Sequence, residues 1–414
     1  MLKFSIKGEN ECAVVGYEGD ATTVSIPDSV EFEGRKYCVT EVEAEAFDMC
    51  KHVTCIEVPA SVKKIGNSAF IFCSSLEKVK LNDGLEEIDR FAFSFCENLT
   101  EVIIPQSTKL IGDGVFRECR KLVKVRLPDG LTKIGRDSFS CCLSLSDINF
   151  PESLTHIGAD AFCLCQMLPD PHLHSLEEIG DSAFYGCKLF EPRILFYANN
   201  TKCYGWVGDP NKCTEVEIPA TVTHINSLAF CNCRKVKSVV LPEGITEIGQ
   251  YTFASCNGLT EVRLPSTLKT IGYEAFGYCI SLTKIKIPDG VTEVADTAFQ
   301  GCKRLVDVEM SPYAVFGVKL FGKAPFAIKY KRVIELNSLL VKTLAKDLFK
   351  KNKLKGFKVT GVGMHSVRLT LSIGKTEYWS GCLLIEDLPS KVEFLKQKLE
   401  EARKAVPDAP ASLS

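Results

Sequence analysis

The chain has no stretch of eighteen consecutive apolar residues, so no membrane-spanning helix is expected. It has no surplus of either charge. Its 414 residues carry a net −2, which excludes a chain-wide attraction to nucleic acid. Histidine is scarce, at six residues. No phosphate-binding glycine loop, GxSxG elbow or HExxH pair occurs. His172 and His174 stand near Asp170 in DPHLHSL, without further ligands close by to complete a metal set. The chain therefore reads as a non-enzyme, with no catalytic residue, metal or cofactor expected. The opening residues, MLKFSIKGENECAVVGY, lack the apolar run of a secretory leader. A cytoplasmic location is expected, with the cell surface as the alternative.

Cysteine, by contrast, is plentiful, at twenty. Eleven belong to one word, Phe-x-x-Cys, which starts at Phe47, Phe70, Phe93, Phe116, Phe139, Phe162, Phe184, Phe230, Phe253, Phe276 and Phe299. Nine of the ten intervals are 23 residues or twice 23; Phe162 to Phe184 is 22. A fixed period of this length marks a solenoid, and solenoids present long binding surfaces. Periodic thiols point to packing rather than pairing, because an unpaired cysteine behaves as a small buried hydrophobe. Reduced thiols in a reducing compartment are the expectation. The CxC pairs Cys163/Cys165 and Cys231/Cys233 each place their second cysteine in the repeat word, which argues against zinc.

One unit, residues 76–96, shows the physics. Val79 and Leu81 alternate with Lys78 and Lys80, as in a short strand with one buried face. A turn with Pro and Gly follows, as at Pro128, Pro242 and Pro288. Next comes a second apolar pair, such as Leu131 and Ile134, often followed by glycine (Gly66, Gly112, Gly135, Gly158, Gly180, Gly249, Gly272). These glycines are expected to supply positive φ at a corner. The Ala-Phe pair then opens the return turn. At a strand spacing of about 4.8 Å, some thirteen coils would span roughly 60 Å.

The stretch from Cys50, CKHVTCIEVPASVKKIGNSAFIFC, resembles the BspA-like class of leucine-rich repeats. The entry segment VVGYEGDATTVSIPDSVEFEGRKYCVTEVEAEAFDMC is similar to that family's first unit, with an extra loop around Glu31 to Lys36. The resemblance covers residues 1–310. It implies an α/β-type repeat solenoid, a right-handed leucine-rich repeat with parallel strands on its concave face. It also implies surface attachment or protein binding.

Outward strand positions can be read from the register. They are Lys78 and Lys80, Glu101 and Ile103, Lys124 and Arg126, Asp147 and Asn149, Asp170 and His172, Glu215 and Glu217, Ser238 and Val240, Glu261 and Arg263, Lys284 and Lys286, Asp307 and Glu309. Alternating signs favour a protein partner along this row over a polyanion, and a solvated, unemployed face is the alternative. The word lapses near 188–212, where ANNTKCYGWVGDPNK brings Tyr197, Tyr204 and Trp206. This reads as a degenerate coil whose aromatics refill the Phe slot, or as an exposed loop with Trp206 as a hot spot.

Residues 311–406 form a second domain of α+β type, with 407–414 as a tail. Leu336, Leu339, Leu340, Leu344 and Leu348 give one helix an apolar face, with Lys342, Lys346 and Lys350 as a basic stripe. Val367, Leu369, Leu371 and Ile373 alternate as a strand, and Ser390 with Glu393 reads as a capping box for a last helix. Residues 319–358 hold twelve Lys and Arg against Glu335 and Asp347, a net +10, so the rest of the chain carries −12. That stripe is a candidate contact for an anionic surface. Three functions follow: a scaffold binding a protein partner along the repeats, a surface adhesin, or a repeat arm targeting a C-terminal effector.

Overall fold

A computed structural model describes residues 1–171, 176–295, 297–310, 341, 345–352, 354, 357–362, 366–373, 376–385 and 387–404. The chain divides into two compact units, Met1–Lys212 and Cys213–Ser414.

In the first unit the alternating segments stack as a six-stranded parallel sheet. Its order is Asp147–Ile148, Lys124–Arg126, Glu101–Ile103, Lys78–Leu81, Cys55–Val58 and Thr23–Ser25. Each coil adds one strand in fixed register, with Cys55 opposite Lys78 and Glu101 opposite Lys124. Val24, Ile56, Val79, Val102 and Val125 point inward and are buried. The two-residue strands Lys64–Ile65, Glu87–Ile88 and Leu110–Ile111 pair in parallel as a second wall, burying Ile65, Ile88 and Ile111. At the start of that wall, Leu2–Ile6 pairs antiparallel with Glu11–Tyr17, which pairs parallel with Arg35–Val42. This hairpin covers the sheet edge that the first coil would otherwise leave open. The extra loop of the entry unit is the hairpin of Ser29–Phe32 with Arg35–Val42.

The repeat word fills the third side of each coil. Phe47, Phe70, Phe93, Phe116, Phe139, Phe162 and Phe184 stack in one column with centroids 4.9–5.8 Å apart. Each buried ring contributes about 1.5–3 kcal/mol. The backbone here is also a ladder: the Phe47 N–H donates to the Ala69 carbonyl of the next coil, and Phe70 to Ala92. The thiols have a defined task. Cys73, Cys96, Cys119, Cys142, Cys165 and Cys187 each donate Sγ–H to the carbonyl of the preceding coil's Phe, at 3.0–3.4 Å.

The glycines after the second apolar pair act differently from the expectation. None of the seven has positive φ. They allow close approach instead: a Cβ on Gly158 would lie 2.6 Å from the Arg136 nitrogen of the preceding coil. Positive φ falls two residues before and two residues after the repeat Phe, at Ser68 and Phe72 for example.

The irregular coil contains a strand, Arg193–Tyr197, which pairs antiparallel with Lys202–Val207. Ala198, Asn199 and Asn200, all at φ 49–60°, turn the chain between them.

In the second unit Ser238–Val240 pairs in parallel with Glu261–Arg263, and Lys284–Lys286 with Asp307–Glu309. Phe230, Phe253, Phe276 and Phe299 stack at 5.3–5.4 Å. Cys256, Cys279 and Cys302 repeat the thiol-to-Phe hydrogen bond. Beyond the repeats, Phe357–Val362, Ser366–Ile373 and Thr376–Leu384 form an antiparallel sheet, followed by the helix Val392–Lys404. Val341, Ala345, Val367, Leu369, Leu371, Leu395 and Leu399 form a core of their own there. The Ser390 hydroxyl donates to the Asp387 carbonyl rather than serving as a cap.

Candidate binding surface

The strand row is where periodic side chains leave the core, because alternation sends every second residue to solvent. In the first unit two columns run across the strands. One holds Cys55, Lys78, Glu101, Lys124 and Asp147, and the other Glu57, Lys80, Ile103 and Arg126. The charges are largely matched between neighbouring coils. Lys80 pairs with Glu57, Lys124 with Glu101 at 2.5 Å, and Arg126 with Asp147 at 2.7 Å. The hydrogen bond from Lys80, aided by its charge, holds the Glu57 carboxyl below its usual range. The hydrogen bond from Arg126 lowers Asp147 against a small burial penalty. These pairs are solvent-exposed, so each contributes no more than about 1 kcal/mol. Cross-strand matching accounts for the alternation of sign seen in the sequence.

Lys78 makes no ion pair among the described residues, and Ile103 stands 55% exposed between Lys80 and Arg126. Glu57, partly exposed on the first full coil, belongs to the row and was missed; its signal was the alternation in CIEV. Asp170 is not outward. Its side chain is 7% exposed and is gripped by both terminal nitrogens of Arg193. His172 and His174 lie outside the described residues.

In the second unit Glu261, Arg263, Lys284 and Lys286 are exposed on strands, with Arg263 bonded to Glu261 at 3.0 Å and Lys286 near Glu309 at 3.7 Å. Glu215 and Glu217 are exposed around buried Val216, in an extended segment without strand pairing. The tyrosines of the irregular coil are structural. Tyr197 and Tyr204 are buried, and the Phe184 N–H donates to the Tyr204 hydroxyl at 2.7 Å. The Tyr204 ring meets Phe184 edge-on at 5.7 Å, occupying the next place after the stacked column. Burial raises the Tyr204 hydroxyl above its ordinary value. Trp206 is half-buried and its Nε1–H donates to the Asp209 carbonyl. In the C-terminal module Lys346 and Lys350 are exposed, and Lys342 lies outside the described residues. Among the described residues no three His, Cys, Asp or Glu side chains converge as a metal site, and no helix is long and apolar enough to cross a membrane.

This architecture of parallel strand row, second wall and Phe-Cys corner defines a leucine-rich repeat solenoid. The chain belongs to the BspA-type leucine-rich repeat proteins: the family's repeat region matches residues 40–169, 86–205 and 209–324. A leucine-rich cell surface protein from Faecalibacterium prausnitzii is 27% identical, over 75% of this chain and 93% of that one, with a TM-score of 0.60. The pneumococcal vaccine antigen PcpA shares the fold at 24% identity and a TM-score of 0.53, over 75% of this chain and 79% of that one. No curated protein matches the sequence.

Proposed function

We propose that this protein is a non-enzymatic scaffold that binds a protein partner along its strand row. The observation that carries this reading is the row itself. Its side chains leave the core in strict register, and Ile103 is held exposed amid Lys78, Lys80 and Arg126. An apolar residue framed by cations suits an acidic protein segment with an apolar anchor. Because Lys80, Lys124 and Arg126 already have acidic neighbours, Ile103 and Lys78 are expected to dominate. The test is affinity purification with the wild-type chain, with Ile103→Asp/Lys78→Glu, and with reversal of Lys78, Lys80, Lys124 and Arg126 together. A partner captured by wild type and lost from both variants supports the placement. Equal capture by all three removes it.

A second reading, a surface adhesin, is favoured by the likeness to a cell surface protein of Faecalibacterium prausnitzii. Surface labelling of intact cells separates the two: biotinylation of the native protein supports the adhesin, and its recovery solely from the cytosol rejects it.

A further inference from the structure

The hairpin that covers the first coil leaves its own outer edge open. Leu2–Ile6 is the outermost strand of its sheet and pairs on one side, with Glu11–Tyr17. The odd positions face that neighbour: the Met1 carbonyl accepts from the Glu18 N–H, and the Lys7 N–H donates to the Glu11 carbonyl. The register shift between Lys3 and Phe4 places the extra residue, Val15, on the inner strand, so alternation along Leu2–Ile6 is unbroken. The N–H and C=O groups of Leu2, Phe4 and Ile6 therefore point away from the hairpin. Such edges are commonly blunted by proline, a bulge or an unpaired charge. This strand has no proline, its bulge lies on the inner strand, and its single charge, Lys3, is bonded to Glu18 of the same hairpin.

The side chains at this end are apolar. Leu2, Phe4 and Val30 are half-buried and pack against the core of the first unit. Ile6 is 47% exposed and Phe32 54%. These side chains and Tyr37 line a groove of about 560 Å³ in which Glu31 is the only charged residue. A terminal coil needs a polar outer face, because nothing stacks on it. Here the core runs out to the surface instead.

We propose that a second copy of this chain covers this end, its Leu2–Ile6 strand running antiparallel to the first about a two-fold axis at Phe4. The strand is self-complementary in that register. The two Phe4 residues exchange both backbone hydrogen bonds, and Leu2 of each copy does so with Ile6 of the other. Every outward amide and carbonyl of the strand is then paired. The axis keeps both apolar rows on one face, so Phe4 meets Phe4 and exposed Ile6 meets Leu2. The two open core ends close on each other. Charge does not oppose the approach, since Lys3 is held by Glu18 and Lys7 by Glu43. The interface is isologous, so assembly stops at two copies. A strand from another protein would meet the same amides, but a second copy also brings a matching open core end.

The test is sedimentation velocity on the full chain, with nothing fused before Met1, from about 1 to 100 μM. A species of twice the 45.7 kDa chain mass should form with a Kd near or below about 10 μM. Ile6→Pro removes an amide that the hairpin does not use, and should weaken the dimer by about tenfold or more. Ile6→Lys, which puts a charge into the apolar seam at a side chain the monomer leaves exposed, should do the same. Val240→Lys, at an exposed apolar position of another strand, should leave it unchanged. Amide hydrogen exchange of residues 2–6 should slow across that concentration range. Sedimentation as a monomer at about 100 μM would leave the edge to a strand of another protein and overturns the proposal. So does assembly beyond two copies, wild-type dimerisation by both Ile6 variants, or exchange of residues 2–6 that does not change with concentration.

Discussion

The ladder thiols set an alkaline limit on this fold. Cys96, Cys119, Cys142 and Cys279 are fully buried, and burial is the main reason each thiol is held above its ordinary value of 9.0. Cys302, also desolvated, is pushed up to about 12. In the unfolded chain these thiols ionise near 9.0, while in the folded chain they keep their protons. The unfolded state then binds fewer protons, so stability falls as pH rises above 9. Each such thiol costs up to about 1.4 kcal/mol per pH unit in that window. Thermal denaturation between pH 7 and 10.5, under reducing conditions, should show Tm flat below 8.5 and falling steeply above it. Cys96→Ala/Cys119→Ala should start from a lower Tm at pH 7, losing about 1–2 kcal/mol per site in packing and hydrogen bonding. It should also show a shallower alkaline slope. An unchanged slope would mean that the ladder thiols do not titrate differently on unfolding.

A coil is held by a few positions at which its backbone touches the coil before it. Gly158 is one of them, because any Cβ would collide with main-chain atoms of Arg136 that cannot step aside. Gly158→Ala should cost about 2–3 kcal/mol in urea unfolding followed by circular dichroism. Gly130→Ala, where a Cβ meets nothing within 4 Å, should be near neutral. The reason Gly158 matters was not legible from sequence: period and residue type announced a glycine at a corner, but positive φ and close approach leave the same trace in one chain. The strands, the turns and the Phe-Cys column were legible, because alternation and period directly encode burial. The antiparallel hairpin Arg193–Val207 was not, since its strand has the right spacing and nothing local states the direction of its partner. Most strand-row charges were legible as positions, Glu57 and the inward Asp170 being the exceptions. Their pairing was not, because the 23-residue step sets Glu57 opposite Lys80 but does not say that the two side chains turn toward each other.

Across the whole molecule the net charge of −2 hides a segregation, with +10 in residues 319–358 and −12 elsewhere. Screening decides whether that segregation acts. At about 0.15 M salt the Debye length is roughly 8 Å, shorter than a helix of six residues, so an acidic residue offsets a cation only where the two lie within about that distance. Lys346, Lys350 and Lys351 are exposed on a basic patch, with Asp347 as the acidic neighbour within it. The intact protein should therefore be retained on immobilised heparin at about 50 mM salt despite its negative total. Lys346→Glu/Lys350→Glu should elute at clearly lower salt, because each lost cation removes one counterion-releasing contact. Strand-row reversal at Lys78 and Lys124 should move elution far less, since Lys124 already faces Glu101. Passage of the wild-type chain straight through at low salt would show that its cations are taken up by its own acidic residues, and would remove an anionic surface as a candidate contact for this module.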